Sequence, residues 1–179
     1  MLLPRDELTR IRYFTARVSA RLEDPNSPQR QDTYLRALRT IPMVSIHEGH
    51  FLSHRIRMPL AEPPNHGPRT VEVIKTEEKG SDVNLATYLL RDGFKGEYDV
   101  AVIISNDSDL AEPIRVVKDD LGLAVGIVNP HPARKRSREL QRLAPTFFKQ
   151  IREAALRRSQ FADPVRDAHG RAIHKPPGW

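Results

Sequence analysis

The chain of 179 residues has no cysteine, which excludes disulfides, cysteine-ligated zinc and thiol chemistry. No apolar run approaches the roughly 20 residues that a membrane-spanning helix needs, so no membrane association is expected. Aromatic residues make up only 6%, too few for the stacking platforms of a dedicated RNA-recognition module. The nine glycines form neither a Gly-x-Gly-x-x-Gly nor a Walker-type loop, so a nucleotide cofactor is not indicated. The first residues, Met1 to Glu7, lack the basic-then-apolar plan of a signal peptide, and a cytoplasmic location is the default expectation.

What is abundant is charge, and it is unevenly spread. Lys plus Arg number 29 against 23 Asp plus Glu, a net of +6. Such a surplus suits a polyanion, nucleic acid or an anionic membrane. Yet residues 70–125 hold 6 basic and 12 acidic side chains, a net of −6, so the remainder carries +12. An acidic island in a basic protein is a functional clue, although solvated helix faces can produce the same sum.

The length allows one domain with a real core and small appendages. Residues 10–18 alternate and are rich in β-branched and aromatic side chains, which predicts a strand. Ser27-Pro28 opens a helix that Pro42 stops. A short strand is expected over 44–48, and a hairpin from 51–58 and 70–76 around a Pro- and Gly-rich loop. A helix follows over 81–90. Residues 98–105 (YDVAVIIS) form a nearly continuous apolar run, the pattern of a strand buried on both faces of a parallel sheet. Then come a helix over 110–121, a buried strand over 124–128, a short helix over 137–143 and a last strand over 146–151. Strands alternating with helices predict a doubly wound α/β fold for residues 1–151. Residues 152–179 read as a tail, extended from Ser159 on, with a small hairpin near 167–170 and Phe161 and Trp179 docking it.

Two acidic motifs stand out. Ser105-Asn106-Asp107-Ser108-Asp109 follows the buried run and precedes a helix, at the carboxyl end of a strand where open α/β sheets bind ligands. Two carboxylates two residues apart can converge on one hard cation such as Mg²⁺ or Mn²⁺. Helix capping explains one of them, since Asp, Asn and Ser are favoured caps, but not both. In Lys79-Gly80-Ser81-Asp82, Ser81 can cap the next helix and Asp82 sits in its first turn, where it also suits the helix dipole.

Lys79-Gly80-Ser81-Asp82-Val83 and Ile104-Ser105-Asn106-Asp107-Ser108-Asp109-Leu110, separated by one helix and one buried strand, resemble the two diagnostic motifs of NYN domains, members of the PIN-like group of metal-dependent ribonucleases. The resemblance covers roughly residues 10–148. It implies a three-layer α/β/α fold with a mainly parallel sheet and an acidic pocket that binds Mg²⁺ or Mn²⁺ and hydrolyses RNA. Carried over, the catalytic and metal-binding positions are Asp82, Asp107 and Asp109. Asn106 stands where the family usually has a small residue. RNA is the expected partner, with homo-oligomerisation left open. Lys79, Asn106, Arg134, Lys135, Arg136 and Arg138 are the expected RNA contacts; residues 131–160 carry 9 basic and 2 acidic side chains.

The family normally opens with a central strand ending in Asp-Gly-x-Asn, which supplies a first metal-binding Asp. No such strand is visible here; Asp6 and Glu7 precede the first strand rather than close one. The chain therefore reads as an N-terminally truncated domain. A start assigned too late is the favoured explanation, with a shortened inactive relative or a strand from a partner chain as the others. Weak or no catalysis is expected from these residues as they stand. The alternative reading is a catalytically silent PIN-like module that binds RNA or protein, and a third is another Asp-x-Asp metal enzyme. His47, Glu48, His50 and His54 lack a His-Glu-x-x-His spacing and read as polar edge residues or RNA contacts.

Overall fold

The computed structural model describes residues 7–177. Asp6 and Trp179, and with Trp179 its expected docking of the tail, lie outside them. The elements are β1 (Ile11–Ala16), α1 (Ser27–Leu38), β2 (Val44–Pro59), β3 (Thr70–Lys79), α2 (Ser81–Phe94), β4 (Val100–Ile104), α3 (Ala111–Arg115), β5 (Ala124–Asn129), α4 (Arg138–Arg142), β6 (Phe147–Gln150), α5 (Glu153–Arg158), β7 (Val165–Arg166) and β8 (Ala172–Ile173). The expected α/β class, with parallel strands joined through helices, is what the chain adopts.

The strands form two three-stranded sheets rather than one. In the first, β1 pairs parallel with β2, and β2 antiparallel with β3. In the second, β4, β5 and β6 are all parallel. Among the described residues, β1 and β4 each end a sheet. This corrects the reading of residues 98–105 as buried on both faces. β5, with a partner on each side, is buried almost throughout, whereas β4 buries Ala101 and Ile103 and leaves Ile104 58% exposed. An apolar run marks a double-sided strand only if both flanks are filled.

The 44–48 and 51–58 segments are one strand. The first part of β2 pairs with β1 from Val44 to Gly49; the second pairs with β3 from His50 to Pro59. Gly49 sits at the handover and does not break the strand. A Cβ there would lie 2.3 Å from the Lys79 carbonyl oxygen, so glycine lets the end of β3 come close. Gly80 then turns the chain into α2 with a φ of +100°, a left-handed conformation that glycine adopts without strain. Ser81 is the first residue of α2 and not its side-chain cap. Its N–H is received instead by the Glu78 carboxylate, at 3.1 Å. The expected 110–121 helix is a composite: a 3₁₀ turn (Ser108–Leu110), α3 and a π turn (Val116–Asp120).

Helix α2 ties the two halves together. Leu89 packs into the main core with Ala101, Ile103, Leu110, Ile114, Val125, Ile127 and Leu140. The other side of α2 meets β1 and β2. There the Tyr88 ring lies under the Arg12 guanidinium and against His47, with centroid separations of 4.4 and 4.1 Å, and His47 stacks on Phe14. His47 is thus interior to this junction and not an edge residue. Burial, then the Arg12 charge, lowers its pKa from 6.5.

The tail hairpin is present as β7 and β8, turned by Asp167, whose carboxylate accepts the N–H groups of His169 and Arg171. Ile173 is buried and Phe161 meets Tyr34 of α1 edge-on.

Asp92, near the end of α2, is one of two buried polar residues among those described. Its carboxylate takes Arg12 Nε at 2.6 Å, Arg91 Nη1 at 3.1 Å and Arg10 Nη1 at 3.7 Å; Arg10 also pairs with Glu97. Removing a buried partner leaves its mate uncompensated, a loss of about 3–5 kcal/mol. Asp92→Ala is therefore expected to lower unfolding free energy by about 3 kcal/mol in urea melts. A loss below ~1 kcal/mol, the scale of a surface pair, would show that this cluster does not hold the two sheets together.

Candidate metal centre

The acidic residues reach one place from two directions. The β4 strand delivers Ser105 to Asp109 at its carboxyl end, and β3 delivers Asp82 through the Gly80 turn and the start of α2. The 105–109 loop is internally braced. Ser105 Oγ accepts the Asp107 N–H at 3.1 Å, and Asp107 Oδ1 accepts the Asp109 N–H at 3.0 Å. Asp107 therefore does cap the turn that follows, with one carboxylate oxygen, and Asp109 remains exposed without such a task.

Asp82 senses the others. Its pKa is raised above 3.8, first by partial burial of the carboxyl group and then by the charges of Asp107, Glu78 and Asp109. The side chain is open to solvent at its surface, so the burial is of one side only. Glu78 is the residue that sequence reasoning missed. It lay within a charged run, and only the fold, through its hydrogen bond to the Ser81 N–H, brings it to the start of α2.

The donor set is chemically suited to a hard divalent cation: carboxylate oxygens plus the Ser81 hydroxyl, whose oxygen is buried without a hydrogen-bond partner. Among the described residues no three His, Asp or Glu side chains stand close enough to enclose an ion, so the carboxylates gather without forming a closed shell.

The expected RNA contacts divide. Arg134, Lys135, Arg136 and Arg138 are exposed and have no acidic partner among the described residues. The loop that carries the first three is joined directly to the acidic loop through Asn106. Asn106 Nδ2 donates to the Lys135 carbonyl at 2.8 Å, and Asn106 Oδ1 accepts the Ser137 N–H at 2.7 Å. The Asn106 amide is thus engaged within the protein. Lys79 pairs with Glu77 at 3.4 Å on the surface of β3. A cleft of about 540 Å³ lies elsewhere, among Arg115, Lys118, Asp119, Glu139 and Arg142, where both signs of charge are mixed.

An α/β fold with acidic residues gathered at a strand end is consistent with the PIN-like class of domain. The NYN domain model matches residues 5–152, and the chain belongs to the NYN domain family. It is 34% identical over 136 residues to 6-hydroxy-3-succinoylpyridine 3-monooxygenase HspA of Pseudomonas putida, covering 71% of this chain and 43% of that protein. The chain thus spans less than half the length of that relative. A solved structure, a protein of unknown function VPA0982 from Vibrio parahaemolyticus, is 14% identical, with 78% of this chain and 67% of that one covered and a TM-score of 0.46. No helix among the described residues is long and apolar enough to cross a membrane.

The raised Asp82 pKa has a definite sign for stability. The folded state holds this proton more tightly than the unfolded one, so stability falls as pH rises from 3.8 through the folded value and stays lowered above it. Asp82→Asn removes that repulsion. It is expected to raise the thermal midpoint in chelator at neutral pH, and to weaken the further rise that Mn²⁺ gives the unaltered chain. A lower midpoint in chelator would show that Asp82 is a stabilising helix-start charge instead.

Proposed function

We propose that this chain acts as a divalent-metal-dependent ribonuclease of NYN type, hydrolysing RNA phosphodiesters at Asp82, Asp107 and Asp109. The observation that supports this reading is the approach of Asp82, at the start of α2, to Asp107 and Asp109, beyond β4, close enough for their charges to help raise the Asp82 pKa. Asp107 spends one carboxylate oxygen on the turn, and the negative charge left over among the three supports a cation as their ligand.

Asp82, Asp107 and Asp109 would hold Mg²⁺ or Mn²⁺, with Glu78 at the edge of the set. Bound there, the ion supplies charge neutralisation for the phosphate and acidifies attacking water. The remaining work belongs to the chain. Asp107, braced through Oδ1, keeps Oδ2 directed by a fixed turn. Ser105 fixes that turn from behind. Arg134, Lys135 and Arg136 attract the RNA backbone, a sequence-independent and salt-sensitive attraction. Residues 1–151 would form the nuclease domain and residues 152–179 a tail; a cytoplasmic location fits this role.

The test is cleavage of a labelled single-stranded RNA with Mn²⁺ present. Slow cleavage that chelator stops is expected, with Asp107→Ala and Asp109→Ala each lowering kcat about a hundredfold or more, the scale of losing a key electrostatic contact. Cleavage that survives both substitutions would overturn the reading. RNA binding without any cleavage would favour the silent module. The Pseudomonas relative's name supplies a further reading, oxygenation of a hydroxylated pyridine, carried by 34% identity. Consumption of 6-hydroxy-3-succinoylpyridine in aerated buffer with an added reductant would favour it.

A further inference from the structure

The basic loop beside the acidic cluster is held at both ends by side-chain amides. At its start, Asn129 is completely buried at the end of β5. Its Oδ1 accepts the His131 N–H at 3.0 Å, and its Nδ2 donates to the His131 carbonyl at 3.0 Å and to Gln150 Oε1 at 2.9 Å. Gln150 Nε2 closes the ring on the Asn129 carbonyl at 3.1 Å and also reaches the His131 carbonyl. Pro130 and Pro132 flank His131 and narrow the backbone further.

At its far end, both functions of the Asn106 amide bind the loop, at Lys135 and at Ser137. Ser137 in turn caps α4, its Oγ accepting the Leu140 N–H, and Leu140 is fully buried in the main core. The segment between these anchors is a 3₁₀ turn, Ala133–Lys135, whose cations point to solvent. The backbone is fixed while the charges stay free. Asn106, the residue immediately before Asp107, joins this turn to the acidic loop through both functions of its amide.

We propose that Asn106 is a positioning residue: its amide locks the Arg134-Lys135-Arg136 turn to the Asp107–Asp109 loop, so that the RNA backbone is gripped at a set place relative to the carboxylates. This rests on the ribonuclease reading for the identity of the polyanion. The physical gain is that of any preorganised grip. Cations on a loose loop attract RNA but must be ordered when it binds; cations on a locked loop are already in place.

The experiment compares Asn106→Ala in two backgrounds, the unaltered chain and one with Arg134, Lys135 and Arg136 all changed to Ala. RNA affinity is read by fluorescence anisotropy in chelator, which needs no catalysis. In the unaltered chain Asn106→Ala is expected to weaken binding about tenfold and to speed tryptic cutting after residues 134–136. In the neutralised background it should change affinity less than twofold, because its effect passes through those cations. Equal losses in both backgrounds, or unchanged tryptic cutting, would overturn the proposal.

If the unaltered chain binds RNA and Asn106→Ala leaves that affinity intact, this proposal fails while the ribonuclease reading stands. No RNA binding by the unaltered chain would defeat both. Hydrogen exchange on the unaltered chain adds a measure that no variant's folding can confuse. The Ser137 amide should be strongly protected, and rapid exchange there would overturn the lock.

Discussion

The buried carboxylate of Asp92 is the constraint on which the rest of this structure depends. It gathers Arg12 from β1, Arg10 from just before that strand and Arg91 from its own helix. Since α2 carries Leu89 into the core of the second sheet, those ion pairs bind one sheet to the layer that covers the other. A buried charge of this kind is a weak source of net stability, yet removing one partner leaves the others uncompensated. The Tyr88–His47–Phe14 cluster then fills the space around it. With that end of α2 fixed, its other end has one place to go, and Asp82 is carried to the acidic loop.

The two ends of α2 are thus opposite in character. At Asp92 one carboxylate faces three guanidinium groups; at Asp82 one carboxylate faces three other carboxylates. The first end is satisfied by the protein itself. The second is left with negative charge that the protein itself does not offset. Such local dissatisfaction within a well-satisfied frame is how binding sites commonly differ from the scaffold around them.

Much of this was legible in the sequence, and the illegible parts have a common cause. The apolar run of β5 announces a buried strand because its pattern is local. The two acidic motifs mark the places where carboxylates gather, because each sits at the end of a strand or the start of a helix that the local pattern already locates. The need for Gly49 is not legible locally, because it comes from the carbonyl of Lys79, thirty residues away. The roles of Asn106 and Glu78 were hidden likewise. Asn106 answers to Lys135 and Ser137, 29 and 31 residues on. His47 was taken for an edge residue because its aromatic partners lie on two other elements. Sequence pattern reports periodicity well and long-range hydrogen bonds hardly at all.

The unbroken strand β2 sets an order of assembly. Its outer half meets β3 across a ten-residue loop, so that pairing closes locally, on the microsecond scale of a hairpin. Its inner half meets β1 only after α1 has been accommodated between them. Local contacts form first because less chain entropy is lost in closing them. The hairpin register, His50 opposite Lys79, is therefore settled early. It dictates where α2 begins before either sheet is complete, so an error in that register would be inherited by the acidic cluster rather than corrected there.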